Sequence, residues 1–281
     1  MNAYQLGLYE KSMPPTLSWK EKLRETKAAG FDHLEISIDE KDDKLARLDW
    51  TKAEKKELRD AIVEVGVPVS SMCLSGHRRF PLGSHDPAVR ARSLEIMEKA
   101  IDFAVDFGVR IIQLAGYDVY YEESDEETRL FFGENLQKAV DMAARKSVLL
   151  GFETMETPFM DTVTKAMHYV RQIASPYLGV YPDIGNLKNA SLLHGHDLIE
   201  DIKTGSGSIF ATHIKETIPG HYREIPFGTG HTEYIPCLQE LKAQGVRYFT
   251  GEFWYIGAQD WRGDLAFAAK FLREKLDAVF A

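Results

Sequence analysis

The chain has 281 residues, 44% of them hydrophobic and 27% charged, enough for one large core or two smaller ones. Its formal net charge of −9 leaves no strongly basic footprint for nucleic acid, and no apolar run approaches the ~20 residues that would span a membrane. The opening MNAYQLGLYEKSMPP lacks the basic segment and long apolar core of a signal peptide, and Cys73 and Cys237 stand far apart outside any CxxC, so a cytoplasmic protein with two reduced, buried thiols is expected.

Short apolar runs with strand character fall at Gln5–Tyr9, His33–Ile38, Val67–Leu74, Arg110–Ala115, Val148–Glu153, Leu178–Asp183, Ser208–Ile214 and Tyr248–Phe253. Longer segments of helical period lie between them, among them SWKEKLRETKAAG, TKAEKKELRDAIVEVG, PAVRARSLEIMEKAIDFAVDFG and ENLQKAVDMAARK. Gly30, Gly66, Gly108 and Gly245 stand where a helix C-cap wants glycine, and Asp86-Pro87 reads as an N-cap followed by a first-turn proline. Met97, Phe103 and Phe107 read as core. Strands alternating with helices imply a parallel sheet. A doubly wound sheet is one solution. The count of eight, the even spacing and the length favour a closed (β/α)8 TIM barrel, a single domain over residues 1–281.

In such a barrel, chemistry sits at the C-terminal ends of the strands. Four consecutive runs there end on ligand-type residues: VLLGFE on Glu153, LGVYPD on Asp183, IFATH on His213 and RYFTGE on Glu252. Buried carboxylates gathered at a barrel mouth need a counter-charge, which a metal ion supplies. Three carboxylates and one imidazole make an O3N set suited to Mn²⁺, Mg²⁺ or Co²⁺, and less typically to Zn²⁺.

The stretches LGLYEK, CLSGHRRFPLGS, IQLAGYDVYY, YPDIGN, THIKE, PFGTG and GEFW together resemble the L-ribulose-5-phosphate (L-xylulose-5-phosphate) 3-epimerases of sugar-acid catabolism, including L-ascorbate degradation. CLSGHRRFPLGS and AGYDVYY are the specific signals; the metal positions alone are shared by the wider xylose-isomerase-like barrels. The resemblance implies a homodimeric TIM barrel acting on a phosphorylated ketose. One divalent metal would be held by Glu153, Asp183, His213 and Glu252, with Glu153 and Glu252 also serving as acid and base. The chemistry agrees. Epimerising C3 of a 2-ketose removes the proton next to the ketone and returns one to the opposite face, through an enediolate. Two carboxylates on opposite sides do this without turning the intermediate over.

Substrate contacts are expected from Glu156, just past Glu153, and from His77, Arg78 and Arg79 in GHRRFPLGS, where arginine suits phosphate. The plainer alternatives are a solvated acid and a loop pinned by ion pairs. Asn186 is a further candidate, at a position where related sugar epimerases often carry histidine. Arg223 lies in the strand-7 loop HYREIPFGTGHTEY, whose FGTG reads as a tight turn. Tyr117, Tyr120 and Tyr121 read as a packed lid or subunit contact, and His194, His196 and His221 as surface residues. Other activities compatible with these residues are an aldose–ketose isomerase of a phosphosugar and a non-catalytic sugar-phosphate-binding barrel. A DNA-repair nuclease of related fold needs a richer ligand cluster and a basic groove.

Overall fold

Leu34, Ile36 and Ile38 alternate with Glu35 and Ser37 along one strand, and the period of two sends the sets to opposite faces. The same alternation runs through the computed structural model, which describes residues 3–281. Its strands are β1 (Gln5–Tyr9), β2 (His33–Ile38), β3 (Val69–Leu74), β4 (Ile111–Ala115), β5 (Leu149–Glu153), β6 (Leu178–Val180), β7 (Thr212–Ile214) and β8 (Tyr248–Gly251). The helices are α1 (Trp19–Ala29), α2 (Asp42–Leu45), α3 (Lys52–Val65), α4 (Pro87–Phe107), α5 (Glu126–Arg145), α6 (Val163–Ile173), α7 (Ile184–His194), α8 (Leu198–Lys203), α9 (Tyr234–Ala243) and α10 (Trp261–Phe280).

All paired strands are parallel, in the order β6-β5-β4-β3-β2-β1-β8-β7. Isolated parallel bridges, Val180 to Ile209 and Asp183 to His213, close the seam between β6 and β7 into a TIM barrel. Leu6, Leu8, Ile36, Met72, Ile112, Leu150, Phe152 and Phe249 face outward into one hydrophobic core with the helices. Met97 and Phe103 are buried there, and Phe107 packs against it half-buried.

Helix ends follow the expected signals. Gly30, Gly66 and Gly108 close α1, α3 and α4 in the left-handed region, and Asp86 caps α4 by accepting from Ala88 N, with Pro87 in the first turn. Ser18 with Glu21 and Thr51 with Glu54 form capping boxes on α1 and α3. Both cysteines are free and buried. No helix among the described residues is long and apolar enough to cross a membrane.

The barrel interior is polar, unlike the aliphatic filling usual in this architecture. Glu35 on β2 is fully buried and accepts from Ser71 Oγ at 2.7 Å and from the Tyr181 hydroxyl at 2.9 Å. Just past β1, Glu10 is 1% exposed and meets three cations. Lys22 Nζ lies at 2.7 Å, Lys44 Nζ at 2.9 Å, and Arg47 grips both oxygens at 2.6 and 2.8 Å.

Candidate active site

The closing seam and the ligand cluster share the same residues. Pro182 has no N–H, so the β6 ladder stops before it. Its carbonyl accepts from His213 N at 3.0 Å, and Asp183 then bridges to His213. Asp183 uses one oxygen to cap α7, accepting from Asn186 N at 2.7 Å, and turns the other toward the barrel axis. Glu153 ends β5, and Glu252, one residue past β8, is anchored through its N–H to Ile214 O at 2.9 Å. One ligand atom from each of Glu153, Asp183, His213 and Glu252 lies within 4.8 Å of every other, and all four residues are buried.

The cluster fits a cation on its own chemistry. Asp183 Oδ2 and Glu252 Oε2 are buried without a hydrogen-bond donor, as are the neighbouring Gln113 Oε1 and Asn186 Oδ1. Lys215 Nζ stands 3.1 Å from Glu252 Oε2 and 3.5 Å from Asp183 Oδ2, which pairs the charges without a well-directed hydrogen bond. Three buried carboxylates with one ordered lysine leave room for one divalent ion.

The same environment separates the carboxylates. Burial pushes the Glu153 carboxyl up, and the Glu252 charge adds to this. Burial also lifts Asp183, to about 7. For Glu252, burial pushes up as well, but the Lys215 and His213 charges outweigh it and hold the carboxyl at about 2. Burial works against a charged His213, yet Glu35, Glu153 and Glu252 together hold its imidazole well above the ordinary range.

Glu35 decides how His213 is presented. Its Oε1 lies 2.6 Å from His213 Nε2, while His213 Nδ1 faces Glu153 Oε1 at 3.2 Å and Glu252 Oε2 at 3.7 Å. A carboxylate only accepts, so Nε2 carries a hydrogen; Nδ1, facing two carboxylates, carries one as well until a cation displaces it, and is then the nitrogen that would face the ion. Glu35→Gln is therefore expected to weaken divalent-metal affinity about 10–100-fold in calorimetric titration. An affinity equal to that of the wild type would contradict this role.

The carboxylate cluster opens into a cavity whose wall includes Arg78, Glu156, Tyr222, Arg223 and Trp254. Glu156 accepts from the Tyr117 hydroxyl and from Arg223 Nη2, both at 2.8 Å. His77 and Asn186 do not line this cavity. His77 Nε2 lies 3.2 Å from Ser93 O, and burial holds its imidazole down at about 4, hence neutral. Asn186 Nδ2 donates to Thr154 O at 2.7 Å. Arg79 is pinned to Asp42 at 2.7 Å on the surface.

The FGTG segment is a tight turn built around buried Glu216, which accepts from Gly228 N at 2.8 Å, Thr232 N at 3.0 Å and the Tyr234 hydroxyl at 2.8 Å. A Cβ on Gly230 would fall 2.1 Å from Thr217 O, so only glycine passes there. Tyr117, Tyr120 and Tyr121 stack edge to face along the loop after β4. His194 and His221 are exposed and His196 is half-buried.

Glu35 and Lys215 are the two buried charges of this site beyond the expected four ligands. Each carried a signal: Glu35 is an acid in mid-strand in HLEISI, and Lys215 sits two residues past His213, on the same face by strand period.

Residues 23–275 match the xylose isomerase-like TIM barrel family. The chain is 45% identical over 272 residues to L-ribulose-5-phosphate 3-epimerase UlaE of Escherichia coli (strain SE11), covering 96% of this chain and 94% of that protein. The UlaE protein of Escherichia fergusonii matches to the same extent. Among solved structures, an L-ribulose 3-epimerase superposes with a TM-score of 0.76 at 20% identity, covering 98% of this chain and 95% of the other. D-allulose 3-epimerase from Methylomonas sp., in complex with D-allulose, gives 0.79 at 17% identity, covering 97% of each chain. The structural likeness speaks for the fold and the sequence identity for the closer kinship, so the chain belongs to the xylose isomerase-like TIM-barrel family, alongside the L-ribulose-5-phosphate 3-epimerases.

Proposed function

We propose that the chain is a metal-dependent 3-epimerase that interconverts L-xylulose 5-phosphate and L-ribulose 5-phosphate by proton transfer at C3. The observation that carries this reading is the pair Glu153 and Glu252. They come from β5 and from just past β8 and meet in one cavity, from different sides of the barrel mouth. Two carboxylates on opposite sides of a bound carbon can remove a proton from one face and return one to the other. The 45% identity to proteins named L-ribulose-5-phosphate 3-epimerase supports the choice of substrate.

Starting from one epimer, Glu252, paired with Lys215 at 3.1 Å, takes the C3 proton from one face, and Glu153 delivers a proton to the other. Starting from the other epimer, the two exchange roles. A divalent ion (Mn²⁺, Mg²⁺, Co²⁺ or Zn²⁺), when bound by Glu153, Asp183, His213 and Glu252, supplies Lewis-acid polarisation of the ketone and positive charge for the enediolate. Glu35 keeps the His213 ring in place, and Lys215 keeps Glu252 deprotonated. Glu156, Arg78 and Arg223 line the space where the rest of the sugar phosphate lies, and Asn186 supports the site from behind through Asp183 and Thr154. The same reading takes the whole of 1–281 as one epimerase domain, working as a cytoplasmic homodimer in L-ascorbate degradation.

The test is product analysis by NMR. Protein loaded with Mn²⁺ and given L-xylulose 5-phosphate should produce L-ribulose 5-phosphate, and the reverse. An aldose phosphate as the product would point to an isomerase. An unchanged ketose with tight binding would point to a non-catalytic barrel.

A further inference from the structure

The buried cations of this barrel differ in what their donors already hold. Lys22 and Lys44 donate to Glu10 at 2.7 and 2.9 Å, and Arg47 grips both of its oxygens. Lys215 is buried as well, at 4% exposure, and lines the reaction cavity. Its ammonium stands 3.1 Å from Glu252 Oε2 and 3.5 Å from Asp183 Oδ2, yet neither oxygen receives a directed hydrogen bond. The charge is balanced while the three N–H donors stay unspent. Buried donors without acceptors are costly.

The lysine is also held in place. Lys215 O accepts from Thr232 Oγ1 at 3.0 Å, and a Cβ on Gly185 would fall 2.8 Å from that same carbonyl, so the backbone has little room to shift. Nζ lies 5.6 Å from the centroid of the Trp254 ring, on the cavity wall. The other cations lining the cavity are engaged elsewhere. Arg223 donates to Glu156, Lys11 pairs with Asp39 at 2.6 Å, and Arg78 lies over the Tyr120 ring at 4.8 Å. Lys215 alone stands beside Glu252, the carboxylate assigned above to take the C3 proton. Removing that proton sends negative charge onto the oxygens of C2 and C3. A base oxygen within reach of the C3 hydrogen brings those oxygens to the side of the cavity where the ammonium stands. A donor fixed where charge develops, in a site shielded from water, acts most strongly in the transition state.

We infer that Lys215 is a catalytic residue of the epimerisation: its ammonium donates a hydrogen bond to an enediolate oxygen as charge develops there, and keeps its own proton throughout. This rests on the 3-epimerase reading above and deepens it, giving the lysine a role on the reacting atoms besides its pairing with Glu252.

The experiment compares wild type with Lys215→Met and Lys215→Gln, each loaded with Mn²⁺. Loss of an oxyanion donor should lower kcat for L-xylulose 5-phosphate about 10²–10³-fold in Lys215→Met, with KM changed much less. Lys215→Gln, which keeps a donor without the charge, should fall between, and carries the comparison if the methionine variant does not fold. Two readouts apart from turnover separate this role from support of the site. In calorimetry Mn²⁺ should bind both variants at least as tightly as wild type, because a cation beside two ligand carboxylates opposes the ion. Glycolohydroxamate, a planar anionic mimic of an enediolate, should bind Mn²⁺-loaded Lys215→Met about 10–100-fold more weakly than wild type. A kcat loss recovered at alkaline pH, where Glu252 ionises without help, would leave Lys215 only the keeping of that charge. A loss matched by weaker Mn²⁺ binding would leave it only the support of the metal site. Either result, or an unchanged kcat, would overturn the inference. If the wild type epimerises neither ketose 5-phosphate yet binds the hydroxamate through Lys215, the donor site stands and the assignment of the reaction falls.

Discussion

Glu252→Gln is expected to slow epimerisation of the ketose 5-phosphate by about 10²–10⁴-fold, the usual worth of a positioned general base. Glutamine keeps the size of the side chain and one of its oxygens but cannot take a proton. In the native chain Lys215 at 3.1 Å and His213 at 3.7 Å hold this carboxyl at about 2, so it is ionised throughout the neutral range. Glu153→Gln should cost a similar factor, because it removes the proton-transfer group on the other side of C3. The two variants separate in single-turnover exchange begun from each epimer: each should abolish C3 exchange from one epimer and retain it from the other. Metal content measured alongside distinguishes loss of the base from loss of the ion. Either variant epimerising at the wild-type rate with its metal in place would show that one mobile base, or a water, moves the proton.

The largest expected effect on stability lies outside the site. Glu10→Gln leaves Lys22, Lys44 and Arg47 buried around a neutral amide, with side-chain exposures of 3%, 10% and 11%. Removing one partner of a buried ion cluster costs about 3–5 kcal/mol, a large part of the ~5–15 kcal/mol that holds a domain together. Urea unfolding should show the loss, and a change below about 1 kcal/mol would mean that the three cations find other partners. The cluster also sets a pH dependence. Burial raises the Glu10 carboxyl, but Arg47, Lys22 and Lys44 outweigh it and hold it well below its ordinary 4.5. A depressed folded-state value stabilises fully above about 4.5, and this contribution disappears as the pH falls through the folded value. Glu10→Gln should therefore flatten the acid limb of the stability profile.

Several elements were legible from the residues alone. Gln5–Tyr9 and His33–Ile38 match their strands end to end, each a compact run that gives way to charged residues at its C-terminal end. Leu178–Asp183 and Ser208–Ile214 were expected longer than β6 and β7 prove to be. Pro182 breaks one ladder, and the other pairs across the seam only at isolated points. Glu153, Asp183, His213 and Glu252 could be grouped because one rule of barrel architecture puts all strand ends at one mouth. No such rule links Glu35 to His213, or Glu10 to Lys22, Lys44 and Arg47. Those contacts join distant segments of chain and exist only once the barrel has closed. Arg78 and Arg79 make the limit plain: adjacent and chemically identical, they differ in that one meets Asp42 and the other meets two tyrosine rings and a cavity.

The central claim is metal-dependent proton transfer at C3, and deuterium wash-in tests it most directly. The protein would be incubated in D2O with L-xylulose 5-phosphate and, separately, with L-ribulose 5-phosphate, with Mn²⁺ or after exhaustive chelation, and read by NMR. Deuterium should enter at C3 of both epimers as they interconvert, and chelation should stop the exchange until a divalent ion is restored. Exchange confined to C1, or C3 exchange at full rate in metal-free protein, would contradict the account.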